Sequence, residues 1–174
     1  MFSNILVVTD GSDHGTKAVK TAAILAAKFD ASLTVGHVLL HGEPPSAFRR
    51  MATVEHLVRD PSVPKPDATN VASGLIAQIS NAEQNRVSHD IMVELAGSIT
   101  DHAVGICKEL GVKKIGIEVE EGDTANRILS IAEKVEADLI VIGTRGFGPI
   151  KALLLGSTSQ KVTQLAACSC LTVK

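Results

Sequence analysis

Four residues near the end of the chain have the types and spacing that suit phosphate binding. Gly143 is followed after two residues by Gly146, and Gly156-Ser157 follow after nine more. Glycine lets a backbone turn sharply and come close to a ligand. The segment from Ser157 has a helical pattern, and a helix start presents free N–H groups and a positive dipole end to an anion. This spacing predicts a nucleotide site between residues 143 and 159.

The elements that position this motif alternate between strands and helices. Short β-branched apolar runs, such as NILVVT at 4–9, are typical of strands covered on both faces. Their alternation with helical patterns favours an α/β doubly wound fold, a mostly parallel sheet with helices on both faces. The predicted strands are 4–9, 32–40, 113–119, 139–143 and 170–173, and the predicted helices next to them are 13–29, 90–110, 124–135 and 157–167.

Residues 41–87 interrupt the alternation. Prolines at 44, 45, 61, 64 and 66 exclude one continuous helix over the first half of this stretch. Shorter helices are predicted at 47–58 and 69–85. We interpret the stretch as a surface excursion within a single domain of residues 1–174. A lid over a ligand and a dimer arm are the alternatives.

The predicted fold brings two loops together. Ligands of open parallel sheets bind beyond the carboxyl ends of the strands, where the strand order reverses. If the strand at 4–9 is central and the fourth strand lies beside it, Asp10 follows one strand end and residues 142–146 follow the other. We expect Asp10 near one end of a ligand, with the glycine turn, Ser157 and Ser159 near the other.

Composition excludes several classes of protein. The 174 residues fit one domain, and aromatic residues make up only 2%, without Trp or Tyr. Few aromatic side chains, a net charge of -2 and the lack of basic runs argue against a nucleic-acid partner. No apolar stretch approaches the roughly 20 residues of a membrane span, and the N-terminal segment does not resemble a signal peptide. A cytoplasmic location is predicted.

Motifs for catalysis are missing. The chain has no GxxxxGK[ST] loop, which excludes a Walker-type site, and no GxGxxG follows the first strand, so a dinucleotide site is not expected. Asp10 has no carboxylate nearby in sequence except Asp13, unlike a phosphoacceptor receiver. No Ser or Cys nucleophile has an evident base, and no metal-ligand spacing is present. These absences favour nucleotide binding without catalytic turnover, so no catalytic residue is predicted.

Simpler structural roles also fit these residues. Asp10 and Ser12 could cap the first helix, and Ser157 is a good N-cap whether or not phosphate binds. Gly143 and Gly146 could be turn residues alone. His37, on an apolar strand, is interpreted as a packed histidine. The three cysteines, which include Cys168 and Cys170, have neither a disulfide framework nor a metal spacing and are interpreted as small apolar fillers.

The chain resembles the universal stress protein family, in its ATP-binding branch. That branch is marked by G-x2-G-x9-G-(S/T), and Gly143, Gly146, Gly156 and Ser157 match every fixed position. The segments ILVVTDGS, SLTVGHVL and DLIVIGTRG occur in family order, and the resemblance covers the chain except for roughly residues 41–90. The family's usual Cys-Pro before the last strand is Cys168-Ser169 here, which makes that turn less rigid.

The resemblance implies a five-stranded parallel sheet in the order 3-2-1-4-5 and a homodimer through the C-terminal edge strand. It implies ATP or AMP as the ligand, with Mg²⁺ bound through the phosphates. Asp10 and Val38 would lie by the adenosine, and Ile142 and Gly143 would line the base and ribose. The phosphates would be held by Arg145, Gly146, Gly156, Ser157, Thr158 and Ser159.

The function expected from this resemblance is that of an ATP-binding regulatory module in a stress response, acting on an unidentified protein partner. Dedicated catalysis is not expected, although weak ATP hydrolysis is compatible with such a site. Two alternatives stay open. One is a slow metal-dependent ATPase or nucleotide hydrolase, and the other is a partner-binding dimer whose pocket stays empty.

Overall fold

The computed structural model describes residues 1–39, 71–146 and 156–174. Strands and helices alternate as predicted, and the predicted helix at 47–58 lies outside the described residues. The strands are β1 (Asn4–Val8), β2 (Ser32–Leu39), β3 (Ile115–Glu121), β4 (Leu139–Gly143) and β5 (Ser169–Val173). The helices are α1 (Asp13–Phe29), α2 (Val71–Glu109), α3 (Thr124–Lys134) and α4 (Ser157–Leu165).

The strands form one parallel sheet in the order β3-β2-β1-β4-β5. In the central strand β1, Val7 is aligned with Val35 of β2 on one side and with Val141 of β4 on the other. The predicted α/β doubly wound fold and the strand order 3-2-1-4-5 are therefore confirmed. The chain runs outward from β1 to β3 and then returns to β4, so the strand order reverses between β1 and β4.

Both faces of the central strands are buried, which explains their continuous apolar runs. Successive side chains of a strand point to opposite faces, so Val7 packs in the cluster that contains Ala22 of α1, whereas Leu6 packs in the cluster that contains Ile128 of α3. The first cluster is rich in alanine along α1, and these small side chains let that helix lie close to the sheet. Its alanines on α1 are Ala18, Ala22, Ala23 and Ala26.

Helix α1 begins and ends where its sequence predicts. Ser12 is the N-cap, and its Oγ accepts a hydrogen bond of 3.2 Å from the backbone N–H of Gly15. The helix ends at Asp30, which adopts a left-handed conformation with φ of 55°. The cap places the first turn of α1 directly after the carboxyl end of β1.

Helix α2 is longer than predicted. Two helices were expected, at 69–85 and 90–110, but Val71–Glu109 is one continuous helix of 39 residues. The predicted break was wrong because residues 86–96 contain neither proline nor glycine. The predicted end was correct: Gly111 follows with φ of 83°, and its N–H donates to the carbonyl of Lys108.

The sheet belongs to a compact unit formed by residues 1–41 and 96–174, and residues 42–95 group separately. The single domain expected over 1–174 stays a prediction. Among the helices of the described residues, none combines the length and the apolar character needed to cross a bilayer.

Removal of a central core side chain tests the two-sided burial of the sheet. Ile140 in β4 is fully buried, whereas Ile117 in the edge strand β3 is 48% exposed. We expect Ile140→Ala to lower the free energy of unfolding by about 2–5 kcal/mol, because it leaves a cavity between sheet and helix. Ile117→Ala, the matched control, should cost about 1 kcal/mol or less. Urea unfolding followed by circular dichroism measures both, and equal losses would contradict two-sided burial of the central strands.

Candidate functional site

The candidate site lies where β1 and β4 end side by side. Val8 of β1 is aligned with Ile142 of β4, and the strands are parallel, so both chains leave the sheet at the same edge. Asp10 follows the first strand end, and the turn from Gly143 to Gly146 follows the second. This is the point at which the strand order reverses, as the sequence predicted.

The loop after β1 is held by a set of hydrogen bonds. The N–H of Thr9 donates to the carbonyl of Gly36 at 3.1 Å, and Thr9 Oγ1 accepts from the N–H of Gly11 at 3.1 Å. Asp10 Oδ1 accepts from the N–H of Ser12 at 3.0 Å. Gly11 has φ of 84°, a conformation that favours glycine. The loop therefore holds the Asp10 carboxylate through one oxygen.

The two loops meet at glycines. A Cβ atom on Gly146 would collide with Asp10 Oδ2, and a Cβ atom on Gly143 would lie 2.8 Å from the backbone carbon of His14 in α1. Neither glycine has a positive φ. The sequence predicted glycine for a sharp turn and for close approach to a ligand, and in the structure these two glycines allow close approach between segments of the protein.

Thr144 connects the segments around the site. Its N–H donates to the carbonyl of Val173 in β5 at 2.7 Å, and its own carbonyl accepts from the N–H of Gly156 at 2.7 Å and from Ser159 Oγ at 3.2 Å. Its Oγ1 lies 2.9 Å from Nδ1 of His14. Sequence reasoning did not include Thr144 among the site residues. Its position inside the glycine motif was the available signal.

Helix α4 begins beside this turn without a side-chain cap. Gly156 is the N-cap and makes no side-chain cap hydrogen bond, so the expectation that Ser157 is the N-cap was wrong: Ser157 is the first helical residue. Gly156 approaches Thr144 closely, since an added Cβ would lie 3.2 Å from that residue's carbonyl oxygen. An uncapped helix start leaves first-turn N–H groups available to an anion.

The predicted phosphate contacts in α4 differ in exposure. Ser157 is exposed, Thr158 is half-buried and Ser159 is buried. Ser159 Oγ lies 2.9 Å from the carbonyl of Gly156 and 3.2 Å from that of Thr144, and it is the donor to these acceptors. The hydroxyl of Ser159 thus holds the start of α4, and its predicted contact with phosphate stays a prediction.

The remaining predicted residues surround the same strand ends. Val38 and Ile142 are buried in one apolar cluster with Val8, so they line the carboxyl ends of β2, β4 and β1 from one face of the sheet. Arg145 is half-buried, and its carbonyl accepts a hydrogen bond of 3.5 Å from Ser12 Oγ. The structure brings Asp10, Arg145 and the glycines together, and their contacts with a ligand stay predictions.

His37 lies under the loop after β1. It is 2% exposed, and its Nδ1 lies 2.9 Å from the carbonyl oxygen of Thr9. Burial lowers the pKa of His37 below its ordinary value, although the hydrogen bond to Thr9 and the charge of Asp10 partly oppose this effect. The expected packed histidine is confirmed, and it contacts the site through backbone.

The described residues give little support to thiol chemistry or to metal binding. Burial raises the pKa of Cys107 to about 11, and burial also raises the pKa values of Cys168 and Cys170. Thiols with raised pKa values are weak nucleophiles at neutral pH. Within the described ranges, no group of three or more His, Cys, Asp or Glu side chains is placed to hold a metal ion.

The model of the universal stress protein family matches residues 1–174 of the chain. The chain is 30% identical to universal stress protein YxiE of Bacillus subtilis, with 100% of both chains covered. It is 32% identical to the universal stress protein in the QAH/OAS sulfhydrylase 3′ region of Thermus aquaticus, also with 100% of both covered.

Solved structures share the fold. A universal stress protein in complex with cAMP has a TM-score of 0.64 and 22% identity, with 99% of this chain and 97% of that chain covered. The universal stress protein of Archaeoglobus fulgidus in complex with dAMP has a TM-score of 0.59 and 17% identity, covering 99% and 98%. At these identities the similarity shows the fold.

The lowered pKa of His37 predicts a pH dependence of stability. The unfolded chain protonates this histidine near pH 6.5, whereas the folded chain does so only at lower pH. Between these values the unfolded state binds more protons, so the free energy of unfolding falls as pH falls below about 6.5. His37→Asn removes the titration, so its stability should fall less between about pH 7.5 and about pH 5.5, as measured by urea unfolding. Parallel losses in both proteins would contradict the assignment.

Proposed function

Because the chain belongs to the universal stress protein family, we propose that it binds an adenine nucleotide at the carboxyl ends of β1 and β4. The observation that carries this proposal is the meeting of two loops: Gly146 faces Asp10 Oδ2 so closely that an added Cβ would displace the carboxylate. The uncapped start of α4 lies next to the same turn through Gly156 and Thr144. A carboxylate and an anion-binding helix start are thus combined at one strand-order reversal.

An adenine nucleotide is the ligand class that the relatives support. Two of the solved structures that share this fold are complexes with cAMP and dAMP, each an adenine ring with a sugar and one phosphate. ATP is the finer proposal, and it rests on the G-x2-G-x9-G-S spacing from Gly143 to Ser157, which matches the ATP-binding branch. AMP is its nearest competitor, because backbone N–H groups and hydroxyls recognise phosphate without counting it.

Asp10, Val38 and Ile142 are proposed for the adenosine end. One oxygen of Asp10 is occupied by the N–H of Ser12, and its other oxygen faces the Gly146 turn. A carboxylate oxygen accepts hydrogen bonds, which suits the hydroxyls of a ribose. Val38 and Ile142 belong to the apolar cluster at the strand ends, which suits one face of the base. Gly143 lines the same side through its backbone.

The phosphates are assigned to the turn after β4 and the start of α4. Arg145 and Gly146 are on the turn, Gly156 is the N-cap, and Ser157 presents an exposed hydroxyl. Thr158 and Ser159 contribute first-turn N–H groups, which lack intrahelical partners in any α-helix. Mg²⁺ would be held by the phosphates and water, in keeping with the ion's reluctance to lose its water ligands.

Regulation of a protein partner in a stress response, within the cytoplasm, is the role proposed for this binding. A nucleotide changes a partner-binding surface only to the extent that it binds one arrangement of the protein better than another. Dimerisation is proposed through β5, the last strand of the sheet, where Leu171 is 36% exposed. Slow hydrolysis is compatible with this role but is not needed for it.

The nucleotide that co-purifies with the protein tests the proposal directly. We expect denaturation of freshly purified protein to release ATP at close to one molecule per chain, identified by ion-pair chromatography and mass spectrometry. ADP or AMP alone would favour turnover or a different native ligand. Empty protein whose Tm does not rise with ATP, AMP or cAMP would refute nucleotide binding and leave the fold standing.

Gly146→Ala tests the meeting of the loops. Its methyl group would displace the Asp10 carboxylate, so we expect the Kd for ATP to rise by about tenfold or more, a loss of about 1.4 kcal/mol. Gly105→Ala is the matched control, because nothing lies within 4 Å of its Cβ position on α2. Isothermal titration calorimetry compares the two, with far-UV circular dichroism as the folding check. Equal affinities of the two variants for ATP would show that Gly146 has only a structural role.

Gly143 is a poorer site for this test. Its Cβ position meets the backbone of His14 and Gly15 at 2.8 and 3.0 Å, so a substitution there displaces helix α1 from the sheet. A loss of binding at this position would follow from a loss of folding.

A further inference from the structure

His37 is the one buried titratable side chain among the described residues that directly contacts the loop carrying Asp10. It lies on β2 between Gly36 and Val38, is 2% exposed, and reaches across to the carbonyl of Thr9 at 2.9 Å. Thr9 precedes Asp10, so the carbonyl that accepts this hydrogen bond is part of the peptide group that links Thr9 to Asp10. The contact therefore acts on the orientation of that peptide plane.

The contact also determines which ring nitrogen carries the proton. A carbonyl oxygen can only accept, so Nδ1 must be the donor. Burial lowers the pKa of His37, which keeps the ring neutral near pH 7. A neutral imidazole has one N–H, and here it is at Nδ1, leaving Nε2 unprotonated.

Both backbone groups of Thr9 are thereby held by β2. Its N–H donates to the carbonyl of Gly36 at 3.1 Å, and its carbonyl accepts from the ring of His37. Its hydroxyl accepts from the N–H of Gly11 at 3.1 Å. Because Thr9 is held at these points, the motion left to Asp10 is rotation about its own backbone and side-chain bonds. Its carboxylate lies against Gly146 in the loop after β4.

We propose that His37 is a positioning residue of the nucleotide site, whose Nδ1–H donates to the Thr9 carbonyl and thereby directs Asp10 toward the ligand. This inference rests on the proposed nucleotide binding. It assigns no contact between His37 and the nucleotide. Because Asp10 is placed at the adenosine end, the effect of His37 should be shared equally by ligands that differ only in phosphate number.

Two amide substitutions separate positioning from packing. The amide nitrogen of asparagine can take the place of Nδ1, whereas glutamine carries its amide one methylene further, near the place of Nε2. We expect His37→Asn to keep the Kd for ATP and for AMP within about threefold of the parent protein, and His37→Gln to raise both by about tenfold or more. Calorimetric titration with each nucleotide, below the Tm of every variant, measures these values.

Stability and the proton position provide independent readouts. Both variants lose the imidazole ring, so we expect both to have a lower Tm. Affinities that fall in step with the Tm, and not with the position of the donor nitrogen, would overturn the proposal. Equal affinities of His37→Asn and His37→Gln would overturn it as well. The ¹⁵N shifts of the His37 ring in the parent protein should report a protonated Nδ1 and an unprotonated Nε2, and the opposite tautomer would refute the hydrogen bond.

The experiment distinguishes this inference from the proposed function. If the parent protein binds neither ATP nor AMP, the proposed function fails and a positioning role fails with it, whatever the tautomer. If the parent protein binds and donor position has no effect, nucleotide binding stands and the role of His37 is refuted.

Discussion

Burial of the central strands on both faces is the constraint on which the rest of this structure depends. Leu6 and Val7 of β1 and Ile140 and Val141 of β4 have no exposed surface. A polar side chain at these positions would have to be desolvated without a hydrogen-bond partner, which costs on the order of several kcal/mol. Polar chemistry is therefore confined to the strand ends. Since all strands are parallel, the carboxyl ends lie at one edge, and the loops that follow them share it.

At that edge, hydrogen bonds from backbone determine how closely the loops approach. Thr144 is buried, and its amide, carbonyl and hydroxyl contact β5, α4 and α1 respectively. A segment held in this way can make room for a side chain only by losing some of these hydrogen bonds. Glycine at 143 and 146 follows from this constraint, because a Cβ atom at either position would collide with α1 or with Asp10. The packing of the loops thus requires glycine at both positions, whether or not a ligand binds.

How far the sequence predicted the fold depends on how strongly each element is buried. β1 and β4 were predicted to within a residue, since continuous apolar runs have one interpretation in an α/β protein. The edge strand β3 was predicted at 113–119 and lies at Ile115–Glu121, because its last residues are acidic and gave no strand signal. Glu118 and Glu120 are accommodated there by ion pairs with Lys134 and Arg127 of α3. Such pairs join distant positions and are invisible in a local pattern.

The candidate site shows the same division between what is local and what is not. The expected strand order and the motif spacing together were enough to predict that Asp10, the glycines and the start of α4 lie close together. It could not show that Ser159 directs its hydroxyl to the carbonyls of Gly156 and Thr144, because that depends on where α4 begins relative to β4. Ser159 thus supports the start of α4 through its side chain, whereas the phosphate contact proposed for it uses its backbone N–H. A loss of nucleotide binding in Ser159→Ala would therefore report on the placement of α4. Binding through the first-turn N–H groups is tested only by changes that leave the Thr144 contacts intact.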